Sequence, residues 1–193
     1  MDVFPVTNRQ YKEFIDDRKG HGVPYVKEEW AEAYNWDEKK RTYPEGMADH
    51  PVVLVSYNDA VEYCRWQSEK VGEEFRLPAE EEWEKAARGT DGREYPWGNN
   101  FDKGRCNTSE SGIGKTTAVN NNPDGISPYK CYDMAGNVCE WTESWYDERQ
   151  KEKVLRGGSW NGISFSARCA YRFRLNPDSR FNGVGFRCVR TLK

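Results

Sequence analysis

The sequence predicts an α+β domain: helices first, then a loop-rich, aromatic second half carrying short strands. Three observations lead there. Apolar residues with a helical period are confined to the stretch before Gly89. Beyond it, Gly, Asn, Ser and Pro punctuate the chain too often for long elements. The closing segment sets Val184, Phe186 and Cys188 against Gly185 and Arg187, the alternation of a half-buried strand. With 193 residues the chain suffices for one cored domain, and a net charge of −3 offers nucleic acid no bulk attraction.

Taken in order, Thr7-Asn8-Arg9-Gln10 reads as a capping box. Tyr11, Phe14 and Ile15 then form one face of a short helix that Gly20 and Gly22 end. Residues 24–44, charged and aromatic, read as an irregular excursion with one helical turn. His50 to Ser56 is a short apolar run, expected to be extended. A second helix is expected near Asn58 to Lys70, burying Ala60, Val61 and Cys64. The third begins at Arg76-Leu77-Pro78, with Pro78 in the first turn, where its missing N–H costs nothing. Glu80, Glu81 and Glu82 there complement the helix dipole, a simpler role for them than catalysis. Trp83, Ala86 and Ala87 share a face, and Gly89 stops the helix. Tyr95-Pro96-Trp97-Gly98 is a turn with a buried aromatic, and Asn107 to Tyr129 is loop.

Several chemistries are excluded. There is no GxxxxGK[ST], no HExxH, no GxSxG and no GxGxxG after a strand. The six cysteines include no CxxC pair, so a zinc ribbon is not expected. His21 and His50 stand alone, and His50 reads as structural. No signal peptide or membrane-length apolar run is present, which makes reduced thiols and a cytosol-like compartment the default; surface display would need a partner. Around Asp133-Met134-Ala135-Gly136-Asn137-Val138-Cys139-Glu140, two acids and the carbonyls of a Gly-Asn turn suit a hard cation such as calcium. The same residues also suit a turn followed by a strand.

The segment from Arg156 to Arg190 has fixed-looking ends, Arg156-Gly157-Gly158-Ser159-Trp160 and Gly185-Phe186-Arg187. Its middle is rich in Asn, Ser, Gly, Arg and aromatics. That composition fits both an adaptable binding loop and an ordinary surface loop. From Asn161 to Arg187 there is no Lys, Glu, Gln, Met or Trp, although the chain holds eight Trp.

These pieces together resemble the formylglycine-generating-enzyme-like (sulfatase-modifying factor) domain, a variant of the C-type lectin fold. The resemblance rests on Val6-Thr7-Asn8-Arg9-Gln10-Tyr11, His50-Pro51-Val52-Val53-Leu54-Val55-Ser56, Arg76-Leu77-Pro78-Ala79-Glu80-Glu81-Glu82-Trp83 and Tyr95-Pro96-Trp97-Gly98. Asp133 to Trp141 and both ends of the C-terminal segment complete it. It implies a single domain over 1–193. It also implies that Cys64 and Cys188 lie together, as a disulfide or as two thiols. The oxygen-dependent enzyme of the family uses two cysteines shortly after its Gly-Gly-Ser motif; Asn161 to Ala167 holds none, which argues against a thiolate mechanism. The family's cation site maps onto Asp133, Gly136, Val138 and Glu140, the middle two through carbonyls, so the resemblance requires no cofactor and leaves room for a structural calcium.

The closest branch is the variable proteins of diversity-generating retroelements. Asn176-Pro177-Asp178-Ser179-Arg180 and Gly185-Phe186-Arg187 fit its C-terminal cassette, about 157–187. In that branch adenines in asparagine codons ending in a pyrimidine are randomised. Such codons cannot become Lys, Glu, Gln, Met or Trp, which accounts for the gap. The variable positions implied are Asn161, Gly162, Ile163, Ser164, Phe165, Ser166, Tyr171, Phe173, Arg174, Leu175, Asn176, Ser179, Phe181, Asn182 and Gly183, with Trp160 as a further aromatic anchor. Arg168, Arg172, Arg180 and Arg187 read as framework. The expected function is non-enzymatic binding of a protein or cell-surface ligand. The alternative is an oxidative enzyme or accessory of the family without its cysteine pair.

Overall fold

Helix α1 (Asn8–Asp17) starts where its capping box places it in the computed structural model, which describes residues 1–191. Gln10 N donates to Thr7 Oγ1 at 3.3 Å, and Thr7 N donates back to Gln10 Oε1 at 2.9 Å. Tyr11, Phe14 and Ile15 are buried, as their spacing requires. The helix stops at Asp17, short of both glycines. The excursion holds one 3-10 helix, Glu29–Tyr34. A second capping box, Ser56 with Asp59, starts α2 (Tyr57–Val71), and Gly72 ends it at φ 76°. Helix α3 (Glu80–Arg88) begins after Pro78 and ends at Gly89.

The strands are short. β1 (Phe75–Arg76) pairs antiparallel with β6 (Val189–Arg190). The main sheet runs β4-β3-β2-β5, built from β2 (Cys139–Trp145), β3 (Lys153–Arg156), β4 (Phe173–Leu175) and β5 (Val184–Gly185). β3 lies antiparallel to both β2 and β4, and β5 lies parallel to β2. This leaves β4, a cassette strand, on an edge.

An aromatic core joins α1, α2 and the sheet. Tyr11 stacks on Tyr63 at 5.7 Å, and Phe186 meets Tyr63 edge-on at 5.3 Å. Trp141 lies in the same cluster and donates its indole N–H to the Val55 carbonyl at 3.0 Å. Such pairs add to area burial because ring edges meet ring faces. Cys64 Sγ lies 3.4 Å from Cys188 Sγ, and the two are free buried thiols. All six cysteines are free.

Three expectations are corrected. Pro51–Ser56 is buried, with His50 half-buried at its start, and the run is not regularly extended. Only Pro51 bridges, to Thr7, and Leu54 adopts φ 59°. A leucine there costs roughly 1–2 kcal/mol; its N–H and C=O are held by Phe181 O and Arg180 Nη1. The segment from Val184 to Val189 is buried on both faces, Arg187 included, so its alternation does not mark a solvent face. Glu80 is buried and ion-paired rather than a solvated dipole partner.

Candidate ligand-binding face

Two buried ion pairs fix the frame. Arg187 sits on the segment after β5, Glu140 on β2, and neither side chain is exposed. Arg187 Nε donates to Glu140 Oε2, and Nη2 to Oε1, both at 2.7 Å. Trp83 Nε1 donates to Oε2 at 2.7 Å. The guanidinium also reaches the carbonyls of Asp2, Val3 and Tyr132. A planar fork with five donors suits this hub; an ammonium would leave acceptors unfilled. In the second pair Arg156 Nη1 donates to Glu80 Oε1 at 2.8 Å and Nη2 to Glu84 Oε2 at 2.6 Å.

From this frame the cassette arginines reach outward to acids elsewhere in the chain. Arg172 grips Glu80 with two bonds of 2.6 and 2.8 Å. Arg180 Nη2 is 2.6 Å from Asp59 Oδ2, and Arg168 Nε is 3.3 Å from Glu94 Oε2. Burial alone would raise the Asp59 carboxyl; a hydrogen bond from His21 and the charge of Arg180 outweigh it and hold it below the usual carboxylate range. The four arginines read as framework all pair in this way. Arg174, read as variable, also lies near an acid, Glu152 at 3.4 Å, with its guanidinium over Tyr146.

The same C-terminal segment forms most of the wall of an open pocket of about 480 Å³, mostly apolar in its lining. Of the positions read as variable, Asn161, Gly162, Ile163, Ser166, Tyr171, Phe173, Leu175, Phe181, Asn182 and Gly183 line it. Ile163, Phe165, Phe173 and Phe181 are the large apolar groups left exposed there. Phe165 packs edge-on against Tyr171 at 5.4 Å, on the pocket's shoulder. Ser164 backs the loop, its N–H donating to Glu110 Oε1 at 2.7 Å. Arg174, Asn176 and Ser179 are outside the lining, at and beyond the edge strand β4. Gly183 is buried, and a Cβ there would stand 3.1 Å from Ser159 Cβ, so this position has little room to vary.

Trp160 is a pillar of the frame. It packs with Tyr34, Val53, Leu54 and Val138, stacks on Tyr34 at 6.2 Å, and donates its indole N–H to Asn182 O at 3.0 Å. Trp160→Ala is expected to cost about 3 kcal/mol, whereas Phe173→Ala costs well under 1 kcal/mol because its ring is exposed. Chemical denaturation of the two variants measures this, and equal losses would place Trp160 on the surface after all.

Sequence reasoning missed Cys139, Gly158, Ser159 and Val184, which complete the pocket wall. Cys139 is half-buried, and burial pushes its thiol up to about 12. One protonated thiol does not fit a copper ion held by two thiolates. The expected calcium positions are split by the frame. Glu140 gives both oxygens to Arg187 and Trp83. Asp133 is buried, takes one bond from Asn137 Nδ2 at 3.0 Å, and forms no salt bridge among the described residues. Burial, with Glu140 nearby, pushes its carboxyl up to about 7. A buried acid without an ion-pair partner is the part of the set that fits a cation. Gly136 beside it has φ 78°, and a Cβ would stand 2.3 Å from Asn107 O, so only glycine allows that approach.

The sequence matches the Sulfatase-modifying factor enzyme 1-like domain over residues 1–192. It is 35% identical to the inactive C-alpha-formylglycine-generating enzyme 2 of Bos taurus, over 98% of this chain and 76% of that one. It is 36% identical to the formylglycine-generating enzyme of Streptomyces coelicolor, over 75% of this chain and 54% of that one. Among solved structures, PvdO of Pseudomonas aeruginosa superposes with a TM-score of 0.82 at 24% identity, covering 98% of this chain and 79% of that one. Treponema denticola variable protein 1 does so with a TM-score of 0.74 at 21% identity, covering 95% and 81%. At those identities the two structures speak for the fold.

Proposed function

The chain belongs to the family of sulfatase-modifying factor enzyme 1-like domains, and from that premise we propose that it is a non-enzymatic binder whose C-terminal loops form a diversified ligand-binding face. One observation carries this reading. Ten of the fifteen positions marked as variable line one open pocket, while the framework arginines between them are tied to acids outside the cassette. Side chains can then change at the rim without disturbing the core, since surface substitutions cost little. The fold likeness to a Treponema denticola variable protein and the inactive Bos taurus relative support the same reading. The ligand, a protein or a cell-surface group, is set by the loops of this one variant.

The identity with an active formylglycine-generating enzyme favours a second reading, an oxidative enzyme or accessory. Two experiments separate them. The DNA immediately downstream of the gene is expected to hold a second copy of the 157–187 segment, differing only where that copy has adenine. Incubation with copper, oxygen and a cysteine-containing sulfatase peptide is expected to yield no formylglycine. Absence of the copy together with formylglycine in the product would decide for the enzyme.

A structural calcium is part of the proposal. Asp133 and the carbonyls of Gly136 and Val138 would hold it, with Glu140 shared with Arg187, and its charge would offset the buried acid. By linkage, a ligand that binds only the folded state stabilises it. Calcium added to EDTA-treated protein is therefore expected to raise the Tm of the wild type and to leave Asp133→Asn unmoved. An unmoved wild type would remove the ion from the reading.

A further inference from the structure

Resting on the binding reading above, we propose that the face accepts a bulky apolar side chain projected from a protein surface, and that Trp30, outside the cassette, is a constant contact for it. The cassette holds five arginines and a single acid, Asp178, which by count suggests an anionic ligand. The pairing removes that suggestion. Arg168, Arg172, Arg174, Arg180 and Arg187 each lie within 4.0 Å of a carboxylate from outside the cassette. What remains to be recognised is apolar. A cavity of about 480 Å³ is within the range that encloses a ligand group. Ile163, Phe173 and Phe181 line it yet stay exposed, and Phe165 adds a further exposed ring against Tyr171, a rim that a small molecule would leave uncovered and a protein surface would cover.

Trp30 extends that rim. Its indole stacks on Phe181 at 5.6 Å and 24°, yet stays 42% exposed. Its carbonyl accepts from Asn182 Nδ2 at 2.9 Å. Ala31 and Tyr34 of the same 3-10 helix are buried and anchor it, so the indole stands on a fixed base beside the pocket. The wall at this point is half constant and half variable. Large, rigid aromatics of this kind dominate binding energy at interfaces.

The test uses the whole chain and a random peptide library displayed on phage. Selection on the wild-type protein is expected to yield peptides sharing one large apolar residue. Their affinity is expected to change by less than about twofold between low and high salt, because no exposed net charge drives the contact. Trp30→Ala is expected to weaken them about tenfold or more with an unchanged Tm, and Trp30→Phe to restore most of the loss. An acidic consensus with steep salt dependence, a Trp30→Ala variant that binds unchanged, or a selection that enriches nothing overturns the inference. A combined Phe165→Ser, Phe173→Ser, Phe181→Ser variant distinguishes the two levels. If it binds the selected peptides as well as the wild type, the diversified-face reading itself fails. If it loses them while Trp30→Ala does not, only the present inference fails.

Discussion

Glu140→Gln is expected to lower stability by about 3–5 kcal/mol, the cost of leaving one partner of a buried ion pair uncompensated. For a domain of this size that is a Tm drop of roughly 10 °C. The reason is geometric. Glu140 carries two bonds from Arg187 and one from Trp83, with no exposure on either side of the pair. The neutral amide keeps one acceptor and presents donors to a guanidinium that has none to accept them. Arg187 would then sit as an isolated buried charge, still tied to carbonyls at the N-terminal segment. Calorimetry measures the drop. The double change Glu140→Leu with Arg187→Met should lose less than Glu140→Gln, because removing both charges also removes their desolvation cost. A Glu140→Gln protein melting within a degree or two of the wild type would mean that the pair does not hold the sheet to the closing segment.

The second large effect has the opposite character. Changing Phe165, Phe173 and Phe181 together to serine is expected to alter stability by under about 1 kcal/mol and to reduce affinity for a wild-type-selected ligand by about a hundredfold or more. All three rings are exposed, so their loss opens no cavity. Serine is also among the residues that asparagine codons would yield under the proposed diversification, so the variant imitates the rewriting that the proposal calls for. Parallel melting and binding curves check it. A large fall in Tm would show that the loops contribute to the core and that the face is not free to vary.

Much of the fold was legible because its signals are local. The Thr7–Gln10 box, the Tyr11, Phe14, Ile15 face and the Trp83, Ala86, Ala87 face all lie within one or two helical turns. The pinning role of Arg168, Arg172, Arg180 and Arg187 was legible from the cassette pattern. Their partners were not, because Glu94, Glu80, Asp59 and Glu140 lie far off in sequence and no periodicity links them. Glu80 shows the difficulty. Its place in the first turn of α3 explains it fully as a dipole partner, and only the fold brings Arg156 and Arg172 to it. Trp160 misled for a related reason: composition marks an aromatic in a loop as an anchor, and whether it faces out depends on Tyr34 from the distant excursion. Leu54 gives no local sign of its left-handed backbone.

The arginine pins have a kinetic consequence. Loops already tied to a rigid frame pay their ordering entropy during folding, so little remains to be lost when a ligand docks. Every variant built on this frame would meet its ligand in the same posture and at a similar rate. Under the proposed diversification, variants would then differ chiefly in how long they hold on, and residence time would be the property open to selection.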